Sequence, residues 1–136
     1  MGLENGLILH SDRKIEFPSE IKDYINGYVS IQDKKYHYEL CYWRKCWNIR
    51  REMSYIISAP LDYVAKFGLD ILEVKNLWRA LNDLNDKRSW ESGESIWIYE
   101  EIKDHLTRDL LILEWLIFFM RQHEESEYTV EFYDSY

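Results

Sequence analysis

The eleven residues from Leu110 to Met120 are apolar except for Glu114, and no other stretch restricts the fold as much. A membrane-spanning helix needs about 18 or more such residues, so this run predicts a buried helix instead. Tyr99, Ile102 and Leu106 precede it at helical spacing. Together they predict one helix from about Ser95 to His123, amphipathic at first and apolar nearly all round after Leu110. A helix of that kind belongs at the centre of a core or in an oligomer interface.

The rest of the chain supplies partners for it. Leu7-Ile8-Leu9 and Lys14-Ile15-Glu16-Phe17, flanking His10-Ser11-Asp12-Arg13, predict two short strands and a turn. Pro18 ends the second strand, and Ser19 opens a short helix through Glu20, Ile21, Tyr24 and Ile25 that stops at Asn26-Gly27. From Asp33 to Ser58, Tyr38, Tyr42, Cys46, Ile49, Met53, Ile56 and Ile57 share one helical face, so a long helix capped by Asp33 and stopped by Pro60 is expected. A short turn of helix through Leu61–Phe67 ends at Gly68. Asp70 caps a further helix bearing Ile71, Val74, Leu77, Trp78, Leu81 and Leu84, and 86–93 reads as a polar loop.

Near the C-terminus, Tyr128, Val130 and Phe132 alternate with Thr129, Glu131 and Tyr133, the period of a half-buried strand able to pair with the N-terminal ones. The expected fold is therefore α+β: mainly a helical bundle of three to four helices, with a small antiparallel sheet from the N- and C-terminal strands. At 136 residues the chain forms one domain, 1–136.

Charge limits the partners. Residues 1–60 carry nine Lys/Arg against eight Asp/Glu, net +1, and residues 61–136 carry eight against seventeen, net −9. Such a surface repels phosphate backbones and disfavours duplex DNA, whereas a protein with a basic surface fits it. Homo-oligomers are open to it as well, the positive helix of one chain meeting the negative half of another. Cys41 and Cys46, five residues apart on the expected helix, point to different faces and are read as reduced thiols. The N-terminal residues lack a basic and apolar leader pattern, so a cytoplasmic protein with no membrane association is expected.

Within the expected 33–58 helix, Tyr36, Leu40, Trp43 and Trp47 form a second stripe, flanked by Arg44, Arg50 and Arg51. Tyr36, Trp43, Arg44, Trp47, Arg50 and Arg51 are the candidate binding residues. Trp offers a stacking surface and Arg a planar fork of donors, which suits a protein hot spot or, alternatively, a nucleotide. His105 and Asp109 stand at i,i+4, but one such pair is short of a metal site, and a solvated helix face accounts for Asp104, His105 and Asp109. Asp83, Asp86, Glu91, Glu94, Glu100 and Glu101 bracket the polar loop without the spacing of a calcium loop or nuclease, leaving a carboxylate- or metal-dependent hydrolase as the least supported class. No catalytic residue, metal or cofactor is assigned.

Tyr42-Trp43-Arg44-Lys45 with Ile49-Arg50 downstream, and the terminal Glu131-Phe132-Tyr133-Asp134-Ser135-Tyr136, resemble a group of small phage-encoded proteins of uncharacterised function. The resemblance covers residues 36–50 and 97–136, and where such proteins continue the motif with Ile-His and then Trp-Phe, this chain has Ile49-Arg50 followed by Arg51-Glu52. It implies expression in an infected bacterium. The expected function is a non-enzymatic binding protein that inhibits a bacterial defence or regulatory protein, with nucleotide sequestration as the alternative.

Overall fold

The computed structural model describes residues 3–44, 46–58, 64–86 and 94–135. The elements run β1 (Glu4–Ser11), α1 (Ser19–Lys22), β2 (Asn26–Val29), β3 (Tyr36–Arg44), α2 (Trp47–Ile56), β4 (Val64–Gly68), α3 (Ile71–Leu84), α4 (Glu94–Gln122) and β5 (Tyr128–Ser135). The strands form one antiparallel sheet in the order β2-β3-β1-β5-β4. The class is α+β, but a five-stranded sheet replaces the minor one expected, and the mainly helical bundle does not form.

The largest correction falls on 33–58, where the expected single helix is a strand followed by a shorter helix. Tyr36, Tyr38, Tyr42 and Trp43 crowd residues 36–43, and such aromatic side chains favour a pleated, half-buried surface over a helix. Residues 14–17 form no strand, because β1 runs on through His10 and Ser11, the expected turn. Val64–Gly68, expected to be helical up to Phe67, is the edge strand β4; Leu61 and the expected stops at Pro60 and in the 87–93 loop lie outside the described residues. Asn26-Gly27, expected to end a helix, begins β2.

Leu7 and Leu9 of β1, Tyr38, Cys41 and Trp43 of β3, and Val130 and Phe132 of β5 point to one side of the sheet. There they join Ile49 and Met53 of α2, Val74, Leu77 and Leu81 of α3, and Leu106, Ile112, Leu113 and Leu116 of α4 in one buried cluster. Asp70 caps α3 through a reciprocal pair: its carboxylate accepts from Glu73 N at 2.7 Å, and Glu73 Oε1 accepts from Asp70 N at 3.0 Å. The apolar run of α4 is not enclosed all round, since Leu111, Glu114 and Phe118 face solvent. No described helix is long and apolar enough to cross a membrane.

Two buried carboxylates tie the layers together. Asp134 of β5, fully buried, accepts a fork from Arg50 of α2 (Nε to Oδ1 3.0 Å, Nη2 to Oδ2 3.1 Å) and a bond from Asn5 Nδ2. Asp109 of α4 accepts from Trp43 Nε1 at 2.9 Å and contacts His105 Nδ1 at 3.0 Å. Asp109 is 2% exposed, so the expectation of a solvated face fails for it: its carboxylate is turned inward by the indole N–H.

Candidate functional site

Strand alternation puts a second set of side chains on the side of the sheet away from the helices. Across the strands they form three rows: Tyr28, His37, His10 and Thr129; then Asn26, Glu39, Ile8 and Glu131; then Tyr42, Gly6, Tyr133 and Lys66. Of these only His37 and Gly6 are buried, and none belongs to the hydrophobic core cluster. Tyr28 is 60% exposed and Tyr42 42% exposed, large apolar areas for side chains that lie outside the core cluster of the described residues.

Gly6 accounts for the shape of the third row. A Cβ there would lie 2.2 Å from the Tyr133 ring, so the ring lies flat across the strand where a side chain would stand. Tyr42 flanks it on the other side. Burial, then the charges of Glu39, Tyr42 and Glu4, push the Tyr133 hydroxyl up to about 12. Tyr42 is raised by burial, then by its bond to Glu4 and the Glu4 charge, with Arg44 acting in the opposite direction. These mutual influences define a cluster of phenols and carboxylates, with Arg44 and Lys66 at its margin.

The six sequence-predicted binding residues do not share a face. Trp43 is 0% exposed and held by Asp109, so its ring offers no stacking surface. Tyr36 lies beside Tyr38 on the core side, their rings 6.5 Å apart and nearly parallel. Trp47, Arg50 and Arg51 are on α2, where the Arg50 guanidinium sits 5.8 Å from the Trp47 ring while gripping Asp134. Arg44 alone of the six stands with the exposed tyrosines. No family model, curated protein or solved structure matches the chain.

A groove of about 560 Å³ lies elsewhere, between the segment after β1 and the C-terminal half of α4. Trp115, Phe118 and Phe119 line its apolar wall, with Arg13, Lys14 and His123 among its polar groups. Among the described residues no group of three or more His, Cys, Asp or Glu is placed to hold a metal ion. Asp83, Asp86, Glu100 and Glu101 thus build no metal cluster there, Glu91 lies outside the described residues, and the Glu94 side chain is not described. Both cysteines are free and buried: burial and Asp109 raise Cys41 well above the ordinary thiol range and push Cys46 up to about 12. Neither is an activated nucleophile.

The face that sequence reasoning missed depends on register. Tyr28, Tyr42 and Tyr133 are far apart in the chain and meet only through the β2-β3-β1-β5 order. The one local signal was the alternation in 128–133, which already separates Glu131 and Tyr133 from Val130 and Phe132.

Proposed function

We propose that the chain is a non-enzymatic binding protein that docks a basic partner protein on the helix-free face of its sheet, in the cytoplasm of a bacterium. The observation that carries this reading is the combination, on one uncovered surface, of Tyr28, Tyr42 and Tyr133 with the carboxylates of Glu4, Glu39 and Glu131. Tyrosine concentrates binding energy at interfaces, and complementary charge steers a basic partner and fixes its register. The sheet spans roughly 19 by 23 Å, on the order of 450 Å², which suits the centre of a standard interface of about 800 Å² per partner. The test is capture from a bacterial lysate at low and moderate salt with the native chain and with Glu39→Lys. A stoichiometric basic protein retained by the first and lost by the second is expected; a partner retained equally by both, or none at all, refutes the reading.

The groove favours a second reading, a small-molecule binder. Its volume lies within the roughly 300–1,000 Å³ of ligand sites, and it sets an aromatic wall beside two cations, Arg13 and Lys14, that stand among the carboxylates of Asp12, Glu16 and Glu127. A nucleotide would stack on Trp115 or Phe118 in place of the buried Trp43. Titration with mono-, di- and cyclic nucleotides, monitored by tryptophan fluorescence in native and Trp115→Phe chains, tests it; a flat titration removes it.

A further inference from the structure

Strand β2 ends one side of the sheet, and all four of its residues are exposed. Ser30 N donates to Lys35 O at 3.0 Å, the next pair of the β2–β3 register, so that pair is a hydrogen-bonded one. Bonded and unbonded pairs alternate along an antiparallel ladder, so Asn26 and Tyr28 turn their backbone N–H and C=O toward β3, and Gly27 and Val29 turn theirs away from the sheet. Sheets commonly guard such an edge with charge or Pro. The opposite edge strand, β4, carries Lys66 at its centre, whereas β2 reads Asn26-Gly27-Tyr28-Val29 and carries neither. Four of the ten large apolar side chains exposed among the described residues, Tyr24, Tyr28, Val29 and Ile31, fall within 24–31, and Ile31 is 93% exposed, so this edge is apolar as well as unpaired.

We propose that β2 pairs antiparallel with β2 of a second copy of this chain, Gly27 opposite Val29 and Tyr28 opposite its own counterpart, joining the two five-stranded sheets into one. In that register every outward N–H and C=O of Gly27 and Val29 finds a partner. Charge favours a like copy. Residues 19–35 hold Lys22, Lys34 and Lys35 against Glu20, Asp23 and Asp33, three against three and net zero, so a second copy meets no local repulsion although the whole chain carries −8, and a strongly basic strand gains little there. Glu20, Lys22 and Asp23 before β2 sum to −1, and Asp33, Lys34 and Lys35 after it sum to +1; antiparallel pairing sets the net-negative end of each copy against the net-positive end of the other. The two-fold axis stands normal to the sheet, so the helices of both copies stay on one side and the two helix-free faces form one surface. The stretch 24–31 is about 26 Å long and, at about 10 Å deep, buries on the order of 260 Å² per copy, well below the roughly 800 Å² of a standard interface, so the dimer is weak and concentration-dependent. The inference is independent of the docking reading, since it concerns the edge of the sheet and needs no partner protein.

The test is sedimentation of the purified chain from about 10 µM to about 1 mM, a range suited to so small an interface, with amide hydrogen exchange followed by NMR at both ends. The average mass is expected to climb from 16.7 kDa toward twice that value. The Gly27 and Val29 amides should exchange freely in the dilute chain and slow as the dimer fills, while the Tyr28 amide, turned toward β3, stays slow throughout. Val29→Lys places a charge at an exposed position without touching a β2–β3 hydrogen bond, so it is expected to keep the fold and hold the chain at 16.7 kDa at every concentration. Leu111→Lys, on the exposed side of α4, should dimerise as the native chain does. A monomer at every concentration, a dimer that Val29→Lys leaves intact or Leu111→Lys abolishes, or a dimer in which Gly27 and Val29 exchange as fast as in the dilute chain overturns the proposal, the last by placing the contact on another surface.

Discussion

Arg50→Met removes the guanidinium from a carboxylate that has no access to water. Asp134 is 0% exposed and then keeps only the Asn5 amide among the partners described above, since both of its oxygens are held by the Arg50 fork. Breaking a buried ion pair from one side costs about 3–5 kcal/mol, because an uncompensated charge stays behind. The Arg50 side chain is 23% exposed, so water can follow into the space it vacates, and the low end, about 3 kcal/mol, is expected. With a urea slope of about 2 kcal/mol/M, that moves the unfolding midpoint down by roughly 1.5 M. In the Arg50→Met background, Asp134→Asn should restore part of the loss, because a neutral amide needs no counter-charge. Chemical denaturation of the four chains followed by circular dichroism measures the cycle. A single Arg50→Met variant within about 0.5 kcal/mol of native, or strictly additive losses, would refute the claim that this pair locks α2 to the sheet.

Other consequences follow from the same contacts. Trp43→Phe strips one of the described donors from Asp109 and should cost about 1–3 kcal/mol, read by the same denaturation; a neutral result would show that His105 and the Cys41 thiol satisfy the carboxylate without the indole. Gly6→Ala must displace the Tyr133 ring, so near-ultraviolet circular dichroism should change and partner capture weaken although no charge has changed; an unaltered tyrosine signal contradicts the packing. Tyr133 releases its proton at about 12 in the folded chain against 10.0 ordinarily, so its contribution to stability is complete below pH 10 and is lost as pH rises toward 12. An ultraviolet absorbance titration should show a late phenol, and uniform titration near 10 would count against the burial of Tyr133 first and then against the Glu39, Tyr42 and Glu4 charges beside it. Cys41 and Cys46 should resist thiol reagents in the native state and react fully after unfolding; fast native reaction at either would contradict their burial.

Segments whose local preference and tertiary role agree were legible in the sequence. Asp70 and Glu73 announce the start of α3, and its stripe of Val74, Leu77, Leu81 and Leu84 is buried as spaced. The alternation in 128–133 marks β5, and the run at Leu110 marks the inner half of α4. The segment 33–58 misled for a physical reason. A register shift opposite Leu7/Ile8 leaves Leu40 as an extra residue in β3, so Tyr38, Leu40, Cys41 and Trp43 are all buried. That bulge breaks the period of two and imitates helical spacing, merging β3 with the true helix α2. Strand β2, exposed at all four positions, has no period to read. The candidate face was illegible because cross-strand register, not sequence spacing, brings its residues together.

The central claim is that the helix-free face of the sheet is where a basic protein docks. Amide and side-chain NMR of the labelled chain, with the captured partner added in increments, maps the contact directly. The account predicts shifts confined to Tyr28, Glu39, Tyr42, Glu131, Tyr133 and their strand neighbours, weakening as salt is raised. Shifts centred on Leu111 and Phe118 of α4, or on the Trp115 groove, with that face unchanged, would contradict it.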